Sequence, residues 1–224
     1  MAGKYFSKAT FDFLEDLKQN NNRAWFAENK PRYEEKLKDP ALRLIEDFGP
    51  ELEKISTHFL ATPRSLFRIY RDVRFSKDKS PYKTATGIHF RHEQSKNAHA
   101  PGFYLHIERG EVFAGVGIWR PEATALRAIR EHIVEDPAGW KRASTAKKFT
   151  QSFELAGDRL KRPPKGFDPD HALIEELKWK DYIGVKQLPQ SFVTSDALPK
   201  ELAKTFEAGT PLMRFLCDAL GVPF

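Results

Sequence analysis

Between Gly102 and Trp119 apolar and polar residues alternate on both arms of a tight turn, a pattern that leaves few options for the fold. Phe103, Leu105 and Ile107 alternate with Tyr104, His106 and Glu108. A period of two sends successive side chains to opposite faces, so this run predicts a half-buried strand. Glu108-Arg109-Gly110-Glu111 then turns the chain, with Gly110 available for positive φ. The returning strand carries Val112, Ala114, Val116 and Ile118 on one face and Phe113, Gly115, Gly117 and Trp119 on the other. Glycines inside a strand either admit a neighbouring side chain or leave room for a ligand.

Helical patterns flank this hairpin. Thr10 is expected to cap a helix carrying Phe11, Phe13, Leu14 and Leu17, which ends at Asn20-Asn21-Asn22. A second begins at Arg23 and runs through Trp25, Phe26, Tyr33 and Leu37, with a kink or fresh start expected at Pro31. Asp39-Pro40 opens a third, with Leu44, Ile45, Phe48, Leu52 and Ile55, disturbed at Gly49-Pro50. Beyond the hairpin, Pro121-Glu122 and Asp136-Pro137 open two more helices, and the tail from Asp196 to Leu220 is helical with a break near Gly209. Asp170 is expected to cap a helix through Leu173, Ile174 and Leu177. Thr86 to His92 and Tyr182 to Leu188 read as further strands. The pattern predicts an α+β fold, a mostly antiparallel sheet packed against helices from both ends of the chain. One domain is expected over residues 1–224, helical over 8–58, with a sheet core over 64–120 and a second helical part over 121–220.

Hydrophobic residues at 40% and aromatics at 12%, eighteen of them phenylalanine, suffice for a packed core and argue against wholesale disorder. A single cysteine, Cys217, excludes an internal disulfide framework and sits in an apolar helical pattern, as a buried thiol would. The start, Met1-Ala-Gly-Lys-Tyr-Phe, lacks an apolar leader, and no run reaches the ~18 apolar residues of a membrane span. A soluble cytoplasmic protein without membrane partners is the expectation.

The net charge of +6 is concentrated. Residues 65–83 hold Arg68, Arg71, Arg74, Lys77, Lys79 and Lys83 against Asp72 and Asp78, a local balance of +4, interleaved with Phe67, Tyr70, Phe75 and Tyr82. Leu66 to Phe75 reads as a strand. Arg68, Tyr70, Asp72 and Arg74 share one face of it, and Phe67, Ile69, Val73 and Phe75 share the other with Arg71. Arg71 must then be buried and paired, unless the strand bulges there. Ser76 to Lys83 reads as a polar loop leaving the strand, the kind of segment that carries binding residues. Arginine forks and mobile lysines suit phosphate or carboxylate, with Asp72 orienting the arginines. The plainer alternative is an ion-pair ladder protecting a sheet edge.

His89, His106 and Tyr104 fall on polar strand faces that converge with the basic strand if all share one sheet. A histidine there suits proton transfer near neutral pH, so His106 and His89, with Asp72, are the candidates should there be catalysis. The plainer alternative, and the favoured one, is a satisfied polar face of a half-buried sheet. Trp119 ends a strand and either walls a pocket or enters the core. Arg162-Pro-Pro-Lys-Gly-Phe-Asp-Pro-Asp-His171 is either a lid bringing Arg162, Lys165 or His171, or a stiff connector. No metal-ligand set is read: His89 and His92, three apart, point to opposite faces. Phosphate-loop, dinucleotide, zinc-protease and serine-hydrolase motifs are absent, and no cofactor is implied.

Phe67-Arg-Ile-Tyr-Arg-Asp-Val-Arg-Phe-Ser-Lys-Asp-Lys-Ser-Pro-Tyr-Lys83, with Pro101-Gly-Phe-Tyr-Leu105, Gly117-Ile-Trp-Arg-Pro-Glu122 and Lys161-Arg-Pro-Pro-Lys-Gly-Phe-Asp-Pro-Asp-His171, resembles a domain-of-unknown-function family of bacterial and fungal proteins. The likeness spans nearly the whole chain. It implies one intact domain without added modules, and it implies no activity.

The resulting expectation is a basic pocket for a phosphate- or carboxylate-bearing small molecule. Its lining is Arg68, Tyr70, Arg71, Asp72, Arg74, Lys77, Lys79, Tyr82, Lys83, Tyr104 and Trp119. Nucleic-acid binding through the basic, aromatic window is the alternative. A third is a protein-interaction module using the aromatic helices between Phe11 and Tyr33. The oligomeric state stays open.

Overall fold

The hairpin forms as its alternation requires: β3 (Gly102–Glu108) and β4 (Glu111–Ile118) pair antiparallel, with Glu108 opposite Glu111 across the turn. Gly110 takes φ of 83°, the left-handed conformation that a two-residue turn demands and that glycine adopts without strain. The computed structural model describes residues 4–95 and 100–224, so the first three residues of the N-terminal reading lie outside it. Around the hairpin stand β1 (Phe59–Leu60), β2 (Thr86–His92), β5 (Glu154–Ala156) and β6 (Tyr182–Leu188). The sheet order is β1-β2-β3-β4-β6-β5, antiparallel throughout. Both edge strands are very short, which limits the unpaired backbone offered to other chains.

One face of the sheet is the core. Ile88, Phe90, Phe103, Leu105, Ile107, Val112, Ala114, Val116 and Ile118 are all buried on it. The N-terminal helices are α1 (Lys8–Gln19), α2 (Arg23–Tyr33) and α3 (Asp39–Ile55). The middle of the chain supplies α4 (Ala123–Glu135), α5 (Pro137–Thr145), α6 (Lys147–Thr150) and α7 (Ile174–Leu177). The tail supplies α8 (Gln190–Val193), α9 (Leu198–Ala208) and α10 (Thr210–Ala219). Helices α3 and α9, from opposite ends of the chain, meet over the sheet. Phe48 packs 4.7 Å from Phe90 and 5.8 Å from Phe206, and Phe206 lies 5.1 Å from Phe103, between ring centroids. The fold is α+β, with its antiparallel sheet covered by helices from both ends. No helix among the described residues is long and apolar enough to cross a membrane.

Several local expectations change. Ser7, not Thr10, is the N-cap of α1; Thr10 is the third helical residue and its hydroxyl accepts the Ser7 N–H at 3.1 Å. Pro31 neither starts nor breaks a helix, and α2 passes into a π-helical turn, Glu34–Lys38, before α3. Pro50 leaves α3 continuous. An interior proline costs about 3 kcal/mol, while Leu44, Ile45, Phe48 and Leu52 of the same helix are buried, each contributing roughly 1.5–3 kcal/mol; burial wins. Asp170 does not cap α7; the His171 Nδ1 instead accepts the Leu173 N–H at 3.1 Å.

The largest correction concerns Leu66 to Phe75, which forms no strand. Its only ladder contacts are isolated bridges, Leu66 to Ile88 and Tyr70 to Tyr82. Asp72 turns back on its own neighbourhood, accepting the Arg74 N–H at 3.2 Å and the Arg74 guanidinium at 2.7 Å. Such local side-chain bonds compete with a ladder, and Pro81 on the opposite arm has no N–H to offer. The predicted alternation of exposure survives up to Arg74: Arg68, Tyr70, Asp72 and Arg74 are exposed, while Phe67, Ile69, Arg71 and Val73 are more buried. Phe75 breaks it, at 95% exposed.

Candidate functional site

The basic stretch is a looped hairpin held at its neck. Lys83 N–H donates to Ile69 O at 2.8 Å and Arg71 N–H to Pro81 O at 2.9 Å, bracketing the Tyr70–Tyr82 bridge. A second, smaller core grips this neck: Ile69 and Tyr82 are buried with Phe13, Leu14, Leu17, Phe26 and Leu37 of the N-terminal helices. The Phe26 ring stacks on Tyr82 with centroids 4.0 Å apart. The aromatic residues of α1 and α2 are therefore spent largely on packing, with Trp25 and Tyr33 at its margin.

Beyond the neck the charges sort themselves. Arg71 pairs with Asp78 and keeps only 28% side-chain exposure, so the cation on the inward side is neutralised. Arg71, then the Ser80 hydroxyl and N–H, hold the Asp78 carboxyl well below the usual range. Arg74 pairs with Asp72 and pulls that carboxyl down to about 2. Asp72 thus orients Arg74 and sits at the exposed tip. Lys79 Nζ closes the tip on Val73 O at 2.9 Å. Lys77 is exposed there, and Tyr70 is 59% exposed at the neck.

Arg68 and Lys83 differ from the rest. Among the described residues neither pairs with a carboxylate, and they stand close enough for Arg68 to lower the Lys83 pKa. The larger cause of that lowering is burial of the ammonium. Lys83 Nζ lies 5.2 Å from the Phe67 ring centroid. Phe67 in turn lies 5.9 Å from both the His89 and Tyr104 rings, making it the hub that joins the basic neck to the sheet.

These rings occupy the sheet face opposite the core. Cross-strand register places Gly87 beside His106 and His89 beside Tyr104. Gly87 is required there: a Cβ on it would stand 2.4 Å from the Tyr104 hydroxyl. The Tyr104 hydroxyl meets His106 Nδ1 at 3.1 Å, and the His106 ring stacks on Phe113 at 4.6 Å. Burial raises the Tyr104 pKa to about 12 and lowers that of His106, so both are neutral near pH 7. His89 is 7% exposed. His89 and Tyr104 therefore meet the basic neck through Phe67, with His106 one contact further on; the neck reaches them as a loop rather than a strand, and Asp72, expected beside them, sits at the loop tip instead. Sequence reasoning missed Phe67 as the hub. It also missed Glu108 and Glu111, which share this face with His106.

Other expected residues lie elsewhere. Trp119, just past the end of β4, is 50% exposed and so does not enter the core. Its ring carries the Arg120 guanidinium at 4.5 Å. Just before the proline-rich connector the chain is tied to the approach to β6: the Arg159 guanidinium lies 3.8 Å from the Trp179 ring and Leu160 N–H donates to Lys178 O. A groove of about 640 Å³ gathers Lys54, Lys148, Lys200, Lys204 and Arg214. Those cations are exposed and solvated, and Lys54 pairs with Glu51 at 3.0 Å. Lys83 is distinguished from them by its burial.

No curated protein matches this sequence. Residues 9–215, which include all but the first residue of α1, every element from α2 through α9 and most of α10, match a family described as conserved hypothetical protein. By that match, and in keeping with the motifs of the basic loop and the hairpin, the chain belongs to the DUF2461 family.

Proposed function

We propose that this protein binds a phosphate- or carboxylate-bearing small molecule beside Phe67, with Arg68 and Lys83 as its anion contacts. The observation that carries the reading is the Arg68–Lys83 pair itself: two like charges held near one another, one of them half-buried, with no carboxylate among the described residues pairing with either. An anion relieves both the repulsion and the desolvation of Lys83. Tyr104, which burial keeps neutral, supplies a polar edge for the rest of such a ligand, and His89 lies beside it. Arg71, Arg74 and Asp72, which satisfy one another or Asp78, hold the shape of the loop. Calorimetric titration with inorganic phosphate and citrate tests this. Binding is expected in the wild type and lost in Arg68→Ala and Lys83→Ala, both still folded. Binding that survives both changes but disappears in Lys204→Ala would assign it to the solvated groove instead.

A second reading has its own observation. Phe75 projects from the loop tip with the Arg74 guanidinium 5.8 Å from its ring, and Lys77 and Lys79 lie on the same tip. An exposed aromatic among cations suits stacking on single-stranded nucleic acid. Affinity for an oligonucleotide should then fall log-linearly with salt and drop in Phe75→Ala. Absence of binding at low salt would discard this reading and leave the first intact.

A further inference from the structure

The end of the β3–β4 hairpin assembles a group of ligands that no motif announces. His106 and Glu108, two apart on β3, share the open face, and the register sets Glu111 directly across from Glu108. One nitrogen of His106 and one oxygen from each glutamate all lie within 4.8 Å of one another. Among the described residues His106 Nε2, sealed from solvent, has no hydrogen-bond partner within 3.5 Å; the nearest carboxylate oxygen given for it, Glu108 Oε2, is 3.6 Å away. Facing carboxylates repel, and the turn's own cation does not relieve them. Arg109, between the two glutamates, reaches instead to Asp12 of α1, at 3.3 Å. Among the described residues no lysine or arginine pairs with Glu108 or Glu111, and the Thr84 hydroxyl, 3.3 Å from Glu108 Oε1, brings no charge.

We propose that His106, Glu108 and Glu111 bind a divalent first-row transition-metal ion, with Zn²⁺ as the reference case. A dication neutralises both carboxylates and gives the buried Nε2 its missing partner. One imidazole with two carboxylates suits this class better than Mg²⁺ or Ca²⁺, which prefer oxygen alone. With bonds of about 2.1 Å, ligand atoms around tetrahedral zinc stand about 3.4 Å apart. The observed 3.6 Å between His106 and Glu108 needs almost no movement, and the exposed Glu111 side chain rotates to close the set.

The surroundings fit a ligating histidine. Such a residue holds its second ring nitrogen in a hydrogen bond that fixes the tautomer. Here the Tyr104 hydroxyl occupies Nδ1, so an Nδ1–H donating to it leaves the Nε2 lone pair for the metal. Phe113 fixes the ring plane, stacked at an interplanar angle of 10°. A neutral imidazole is the form that binds metal. Three protein ligands leave at least one position for water or an exchangeable anion. None of this depends on Arg68 or Lys83.

Chelator-treated protein in phosphate-free buffer is titrated with Zn²⁺ by calorimetry and with Co²⁺ by visible absorption. One ion per chain is expected, with ligand-field bands from Co²⁺. Glu111→Gln should weaken binding about 10-fold or more, and Tyr104→Phe, which keeps the ring and removes only the hydroxyl, by about 10-fold to 100-fold. Should His106→Asn unfold, Glu111→Gln decides alone, because its side chain is exposed. No uptake by the wild type, or an affinity unchanged in Glu111→Gln, overturns the proposal. Phosphate binding by the metal-free protein is measured separately and stands or falls without it.

Discussion

The side-chain amide of Asn21 makes both hydrogen bonds that a neighbouring strand would make to Tyr82: Nδ2 donates to Tyr82 O at 2.9 Å, and Oδ1 accepts the Tyr82 N–H at 3.0 Å. Tyr82 faces two ways. Its ring sits in the second core and its backbone edge, unpaired by any strand, is completed from the α1–α2 junction. One side chain thereby fixes where the basic loop leaves the body of the protein.

Asn21→Ala should therefore loosen the loop more than an exposed substitution does. It strands one donor and one acceptor on a buried residue, and each such loss costs about 1–3 kcal/mol. Urea unfolding is expected to show a loss in that range. Amide exchange at Tyr82 should accelerate while exchange in β3 and β4 stays slow. Unchanged exchange at Tyr82 would mean that the bonds to Asn21 are not what holds the neck.

Lys83 gives a pH dependence of defined sign. Its folded pKa lies below the ordinary 10.5, through burial first and the Arg68 charge second. Between the two values the unfolded chain binds more protons, so stability rises with pH across that window, and the penalty is fully present below it. Lys83→Met should remove this rise. Sulfate, whose charge is constant here, should bind less well as pH climbs through the lowered pKa. A sulfate affinity independent of pH up to 10.5 would separate Lys83 from the anion.

Phe206 tests the joining of the two ends of the chain. It is buried, touching Phe48 of α3 and Phe90 and Phe103 of the sheet. Phe206→Ala should cost about 3–5 kcal/mol by lost burial and the cavity left behind. Phe75→Ala, at the exposed loop tip, should stay within about 0.5 kcal/mol. Urea midpoints of the two variants provide the comparison.

How far the sequence could be read follows the range of the forces involved. Alternation and capping are local, so β2, β3, β4 and β6 and most helices were legible from residues alone. The face shared by His89, Tyr104 and His106 followed from the same parity. Leu66 to Arg74 had the right parity but no ladder, because pairing depends on what lies alongside, and there Asp72 and Asp78 hold the arginines locally. Asn21 carried no signal: its partner is sixty-one residues away and backbone. Glu111 was within reach, since a two-residue turn places it opposite Glu108. A search by linear spacing alone treats ligands on two strands as unrelated.

Cys217 closes the set with a linked pair of measurements. It is fully buried among the apolar side chains of α10, and burial, with a smaller effect from Asp218, raises its pKa to about 12. Only the thiolate reacts with disulfide reagents, and an unperturbed thiol near pKa ~8.5 is partly ionised at pH 8. Native protein should therefore resist a chromogenic disulfide reagent at pH 8 and consume one equivalent on unfolding in urea. The sign of the stability effect follows from the same shift. Above the unfolded pKa the unfolded chain has released a proton that the native state retains, so stability falls as pH rises from about 9 toward 12. Cys217→Ala removes that component and should flatten this part of the stability profile relative to the wild type. Rapid labelling of the native protein at a rate independent of urea would show that α10 opens locally.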